Sequence, residues 1–284
     1  AKEHEEKALA IALETGNRQD EGRTYEILGS LFTNLGEYQQ AKEYQEKSLA
    51  IAIETGHRQT EGEAYASLGN VFGLLGERQK ALEYQEKALA IAIEIGNRKA
   101  EGKGYFGLGS LFSSLGENQN AKEYYEKSLA IAIKIGDRQG EGRTYGNLGA
   151  VLYSLSEYQK AKEYQEKALA IAIEIGDKYA EGVRYGDLGC LFSSLGEHQK
   201  ANEYHLKALA IAIEIGSRAR ECREYDSLGS NYFSLGKNLP AKEYFEKAVD
   251  VSIAIGHREL EASALTGLAS VFASVNENLK AKEH

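Results

Sequence analysis

Proline occurs once in 284 residues, cysteine twice and methionine not at all. Two cysteines cannot build the disulfide framework of a small secreted domain, and no Asn-x-Ser/Thr acceptor is present. Both facts point to a reducing compartment, and we expect a cytoplasmic protein. Basic residues are also scarce, 34 against 43 acidic ones, for a net charge of −9. That balance argues against a general nucleic-acid or anionic-membrane binder, either of which needs a basic face. Apolar runs such as Leu89-Ala-Ile-Ala-Ile93 are far too short to span a bilayer. No signal-peptide pattern opens the chain and no initiator methionine is present, so we expect a piece of a longer protein. What is plentiful is glycine. Thirty glycines beside a single proline do not suit an irregular globule, so something uses glycine regularly.

One unit of 40 residues is copied along the whole chain. Gly16 recurs at Gly56, Gly96, Gly136, Gly176, Gly216 and Gly256, Glu21 in every copy through Glu261, and Leu28 in every copy through Leu268. Ala281 to His284 repeat Ala1 to His4. A fixed period in this range signals stacked supersecondary units sharing one core, so a domain count based on length has no meaning here. We expect a single continuous array over residues 1–284, with units beginning near 21, 61, 101, 141, 181, 221 and 261. Residues 1–20 are then a leading second helix, and 261–284 an incomplete last unit.

Each unit reads as two helices, and the chain as all-α. The first helix, roughly 19–35, places Tyr25, Leu28, Gly29, Phe32 and Leu35 on one stripe. The second, roughly 39–55, places Ala41, Tyr44, Ser48, Leu49 and Ala52 on its own, with Ile51 and Ile53 widening the apolar surface. Gly36 and Gly56 suit the left-handed residue that ends a helix. Asn97, Asp137, Asp177 and Ser217 are good N-cap types, and Pro240 falls where a first-turn proline is tolerated. Gly29 and its copies stand in mid-helix, where glycine costs about 1 kcal/mol against alanine. The expected compensation is close approach of the paired helix at Ala41 and its copies. Gly149→Leu should then overpack the pair by about 1–3 kcal/mol.

The run Tyr145-x-x-Leu148-Gly149-x-x-Leu152, followed by Ala161, Tyr164 and Lys167-Ala168-Leu169, resembles the tetratricopeptide repeat (TPR), and does so over the whole chain. The closing proline of that pattern is absent, and the unit is 40 residues long instead of 34. This lengthened form, with Gly136 to Arg143 leading into Tyr145-x-Asn147-Leu148-Gly149, looks like the Pins/LGN type of adaptor repeat. The resemblance implies a right-handed superhelical solenoid of antiparallel helix pairs, whose first helices line a concave groove for extended peptide segments. The asparagine of the Asn-Leu-Gly pattern survives only at Asn147, so the binding mode carries over and a particular Pins ligand does not.

No motif for catalysis is found. There is no Gly-x-Ser-x-Gly elbow; Gly236-Lys237 lacks the glycine and hydroxyl residue of a phosphate loop; Gly107-Leu-Gly109 lies in mid-helix. We expect no enzyme, no cofactor and no metal. The six histidines show no metal-binding spacing and read as surface and turn residues, with His4 and His284 at the place of the packing tyrosine and His57 and His257 at caps. Cys190 and Cys222 lie eight register positions apart, roughly 12 Å along parallel helices. That is too far for a disulfide, and both read as groove-lining thiols. Charge runs such as Lys42-Glu43 to Glu46-Lys47 are i,i+4 pairs on solvated faces.

The remaining candidate is the stripe beside the core stripe of the first helices. It varies from copy to copy, while the core stripe hardly does. It carries Glu26 and Ser30, then Asn70, then Phe106 and Ser110, then Tyr153, Cys190, Asp226 and Phe233; Asn147 and Asp187 stand next to it. Small residues leave room for a ligand backbone, and Phe106, Tyr153 and Phe233 suit apolar side chains. Arg23, Lys103, Arg143 and Arg223 stand near the start of the same helices, where they can receive acidic side chains of a ligand or pair with Glu21-type acids of the array. The leading expectation is a non-enzymatic scaffold binding an extended, acidic-plus-hydrophobic segment of a protein partner. The alternatives are a structural spacer or end-to-end self-associating array, and a sensor array for an enzyme domain outside this piece.

Overall fold

A computed structural model describes residues 2–283, apart from the side chains at 2, 3, 5, 6 and 277–283. The repetition of the first four residues at 281–284, His284 included, therefore lies outside the described side chains. Among the described residues fourteen helices follow one another: α1 (Lys2–Thr15), α2 (Arg18–Asn34), α3 (Tyr38–Thr55), α4 (Arg58–Leu74), α5 (Arg78–Glu94), α6 (Arg98–Ser114), α7 (Asn118–Ile135), α8 (Arg138–Ser154), α9 (Tyr158–Ile175), α10 (Lys178–Ser194), α11 (His198–Glu214), α12 (Arg218–Ser234), α13 (Asn238–Ile255) and α14 (Arg258–Glu283). No strand occurs among the described residues. The chain forms two compact units, residues 1–144 and 145–284. In the first, α2 pairs with α3, α4 with α5 and α6 with α7; in the second, α10 pairs with α11 and α12 with α13. Each pair is joined by a turn of about three residues, so its helices run antiparallel.

The turns bear out the glycine reading. Gly36 (φ 78°) and Gly56 (φ 69°) are left-handed, and the amide of His57 reaches back to the carbonyl of Ala52 at 3.0 Å to close α3. Ser156 holds the same conformation (φ 61°) without being glycine. One period after Gly236, which ends α12's turn, stands Asn276; there no turn forms and α14 runs straight through. Asn97, Asp137 and Asp177 cap their helices by accepting from the amides of Ala100, Gly140 and Ala180. Ser217 makes no such bond, a correction to its expected role.

Within each unit the core is the predicted stripe, with four changes. Leu28, Leu68 and Leu108 in the first unit, and Leu148, Leu188 and Leu228 in the second, are buried. Aromatic pairs join the helices of a repeat, with Phe32 stacked on Tyr44 at 5.3 Å and Phe192 on Tyr204 at 5.2 Å. Of the two isoleucines expected to widen the second stripe, Ile51 is buried but Ile53 is 52% exposed, as are its copies from Ile93 to Ile253, because alternate positions on a helix face opposite ways. Leu35, a C-cap residue, is likewise exposed. The mid-helix glycines do face the paired helix, but not at Ala41. A methyl on Gly29 would meet the side chain of Gln45 at 2.5–2.8 Å, while Ala41 packs with Leu28, Phe32 and Val71. Finally, His205 is buried (1%) instead of lying at the surface.

Candidate functional site

The variable stripe stands partly in solvent on both units. In residues 1–144, Arg23, Ser30, Asn70, Lys103 and Arg143 are exposed, and Glu26, Phe106 and Ser110 half-buried. The guanidinium of Arg143 lies 4.1 Å over the ring of Phe106, which places a cation and an aromatic face together as a contact point. The Glu21-type acids, the alternative partners of these cations, pair elsewhere among the described residues of this unit. Arg18 holds Glu21 at 2.7 Å and also reaches Glu54; Arg58 does the same with Glu61 (2.6 Å) and Glu94. Those acids are therefore occupied by arginines five positions before Arg23 and its copies. Glu26 sits beside Glu63, and burial first, then that like charge, raises its carboxyl above the usual range, while Arg23 opposes the rise.

In residues 145–284, Cys190 and Arg223 are exposed, Tyr153 is 37% exposed, and Asn147, Asp187, Asp226 and Phe233 are half-buried. Two aromatic positions are more committed than the sequence suggests. The Tyr153 hydroxyl is 2.6 Å from Ser194 and its ring packs edge-on against Tyr158, while Phe233 leans on the core around Ala241, Phe245 and Val271. Cys222 is a correction: its thiol is buried and donates to the Ala248 carbonyl at 3.3 Å. It stands at the position that is Gly22, Gly62, Gly102, Gly142 and Gly182 in earlier copies, where the neighbouring second helix comes close.

Beneath the stripe runs a series of side chains that the sequence reading overlooked. Gln45, Gln85 and Gln165 donate across the helix pair to the carbonyls of Glu26, Ala66 and Gly146 at 3.0–3.2 Å, while Tyr125, His205 and Phe245 stand at the same register. Gln165 and His205 each meet the residue 19 positions later, and in both cases that residue is charged. Arg184 donates to Gln165 at 3.2 Å and lies 3.0 Å from Asp187. Glu224 lies 2.7 Å from Nδ1 of His205 and 3.7 Å from Arg220. Burial lowers the pKa of Arg184 and raises that of Asp187, the opposed charges of the two partly offsetting both effects. The first unit has Ala64, Gly104 and Thr144 at this register. The available signal was two large charged residues, Arg184 and Glu224, at an otherwise small position, each 38 residues after a stripe glycine (Gly146, Gly186).

Nothing in this arrangement joins a nucleophile to a base, and no group of His, Cys, Asp and Glu fit for a metal occurs among the described residues. No described helix is long and apolar enough to cross a membrane. Comparison with known proteins agrees with the architecture. No curated protein sequence matches the chain. Among solved structures, BtubC (BKLC) from P. vanneervenii is 20% identical with a TM-score of 0.70, over 78% of this chain and 92% of that one. The signal transduction ATPase with numerous domains and a tetratricopeptide repeat sensor, PH0952 from Pyrococcus horikoshii, is 18% identical with a TM-score of 0.73; the match covers 93% of this chain but 44% of that protein. A Rap protein complexed with competence and sporulation factor is 15% identical with a TM-score of 0.66, over 91% of this chain and 76% of that one. At such identities the likeness is one of fold. The tetratricopeptide repeat model itself matches residues 20–94, 60–134, 100–174 and 140–214, and a second model of that repeat matches 225–252. With both the period and the helix pairs in place, the chain belongs to the tetratricopeptide repeat family.

Proposed function

We propose that this chain is a non-enzymatic scaffold that holds an extended segment of a partner protein against the exposed stripe of its first helices. The fold is one of protein–protein interaction. The observation that carries the finer reading is the division of labour on those helices: buried stripe positions such as Leu28 repeat, whereas the position of Glu26 beside them varies through Ala66, Phe106, Gly146, Asp226 and Thr266. A spacer needs no such division. Arg23, Lys103, Arg143 and Arg223 supply exposed cations for acidic side chains of the segment, with Phe106 under Arg143 taking an apolar neighbour. We read residues 1–284 as one array and its setting as cytoplasmic, the two cysteines being free. The Rap protein complexed with competence and sporulation factor offers a precedent in fold.

The test is a peptide-display selection on the chain and on an Arg23/Arg143/Arg223→Glu triple variant, at low and moderate salt. Acidic peptides enriched on the native chain, lost on the variant and weakened by salt are expected. Peptides that bind the variant equally well would remove the cations from the site. No enrichment on the native chain would overturn the scaffold reading in favour of a spacer.

A further inference from the structure

Over α12 and α14 lies an open cleft of about 440 Å³, walled by Asp226, Ser230, Ser263, Thr266 and Ser270, with Phe245 as its floor. The hydrogen bonds around it leave acceptors and few donors. Ser263 spends its hydroxyl proton on Oδ2 of Asp226 at 3.0 Å, Thr266 on the Ala262 carbonyl at 2.7 Å and Ser270 on the Thr266 carbonyl at 3.0 Å. A hydroxyl has one proton, so each of these oxygens faces any ligand as an acceptor. The other carboxylate oxygen of Asp226, Oδ1, is buried and receives no hydrogen bond. A buried acceptor without a donor is costly, more so on a charged group. No lysine, arginine or histidine lines the cleft. Burial accordingly raises the Asp226 carboxyl above its usual range, with only the Ser263 bond opposing it. The floor is aromatic and held open by glycine: any side chain at Gly267 would collide with the ring of Phe245.

We infer that this cleft is a subsite for a basic side chain, the ammonium of lysine or the guanidinium of arginine, on a segment of the partner protein. Such a group carries donors only and positive charge, and so matches a carboxylate, three accepting hydroxyls and an aromatic face at once. The charge it takes is opposite to that received by Arg23, Lys103 and Arg143. The proposal rests on the scaffold reading only for the source of the cation, because the chemistry of the cleft stands without it.

The experiment titrates the whole chain with N-acetyl-lysine amide, N-acetyl-arginine amide, neutral N-acetyl-norleucine amide and 1,5-diaminopentane, followed by NMR shifts of residues 226, 263, 266 and 270. Both basic probes are expected to shift these signals and the neutral one to leave them unmoved. Asp226→Asn should weaken binding about tenfold or more, the loss expected for a charged hydrogen bond. Thr266→Val should weaken it less, and thermal melts check that both variants fold. Equal response to the neutral probe, or undiminished binding by a folded Asp226→Asn chain, overturns the assignment. A preference for the diamine over the lysine probe overturns the protein source. A failed peptide selection beside a successful titration sinks the scaffold reading alone; the reverse pattern sinks the cleft alone.

Discussion

The guanidinium of Arg184 occupies the space in which a side chain on Gly146 would begin, so that even a methyl there would collide with Nη1. The same holds one repeat on, where a methyl on Gly186 would come within 2.8 Å of Oε1 of Glu224. Three positions on three helices thus share one volume. In the first unit they read Glu26, Gln45 and Ala64, then Phe106, Tyr125 and Thr144; in the second, Gly146, Gln165 and Arg184, then Gly186, His205 and Glu224. A large residue at the third place goes with glycine at the first. Packed interiors require that compensation.

Gly146→Ala should therefore destabilise the chain by about 1–3 kcal/mol, the ordinary cost of overpacking. In an Arg184→Ala background the same change should become neutral or stabilising, because an alanine in mid-helix is better than glycine by about 1 kcal/mol. Urea unfolding of the two single variants and the double gives the coupling, expected at about 0.5–3 kcal/mol. Additive effects would show that the two residues do not share space.

The mid-helix glycines should differ among themselves according to what faces them. A methyl on Gly109 would lie 2.7–3.0 Å from atoms of the Tyr125 ring, which is buried and cannot swing away. On Gly69 it would lie 2.9–3.1 Å from the Gln85 side chain, an unbranched chain that can turn about its own bonds where a ring cannot. Gly109→Ala should cost about 1–3 kcal/mol. Gly69→Ala should stay within about 1 kcal/mol of the native chain, since the gain in helix propensity offsets the disturbance. Equal shifts in Tm would refute this ranking.

His205→Ala should be among the most damaging single changes. It would leave the Glu224 carboxylate, 5% exposed, without its 2.7 Å hydrogen-bond partner and with Arg220 3.7 Å away. Leaving a buried charged group without its hydrogen-bond partner costs about 3 kcal/mol or more. His205→Gln combined with Glu224→Ala puts at these registers the residues found at Gln45 and Ala64, removes the buried carboxylate and should recover most of that loss. A His205→Ala variant less than about 1 kcal/mol below native would remove the pair from the account of stability.

Much of the fold could be read because it is written locally. The turn glycines, the Leu28 series and the aromatic pairs of each repeat lie within 20 residues of one another and recur with the period. The interior of the stripe could not be read in the same way. Gln165, Arg184 and Gly146 sit on three different helices, so their relation shows only when registers 19 and 38 residues apart are compared. Cys222 was misplaced for a similar reason. Its register on α12 matches a surface-facing expectation for one helix, yet the next second helix closes over it at Ala248. Exposure is fixed by the neighbour as well as by the helix itself.

The two cysteines should react differently, and Cys190 in an unusual way. Cys190 is solvent-exposed, yet it is crowded by protein and lies near Glu224 and Asp187. Burial first, then these two negative charges, push its thiol up to about 11. Only the thiolate attacks electrophiles. With the usual thiol at 9.0, the thiolate fraction at pH 8 falls about 100-fold, so accessibility and reactivity part company. In a Cys222→Ser chain, alkylation of Cys190 by iodoacetamide should be about 10-fold or more slower than that of an ordinary exposed thiol at pH 8, because the greater nucleophilicity of a less acidic thiolate offsets part of the loss. The rate should keep rising about tenfold per pH unit until pH approaches 11, where an ordinary thiol has already levelled off. Asp187→Asn removes one of the two charges and should shift the whole profile to lower pH. A rate that levels off near pH 9 in the parent chain would mean that Cys190 stands in open water, and that the polar cluster around Arg184, Asp187 and Glu224 does not close over it.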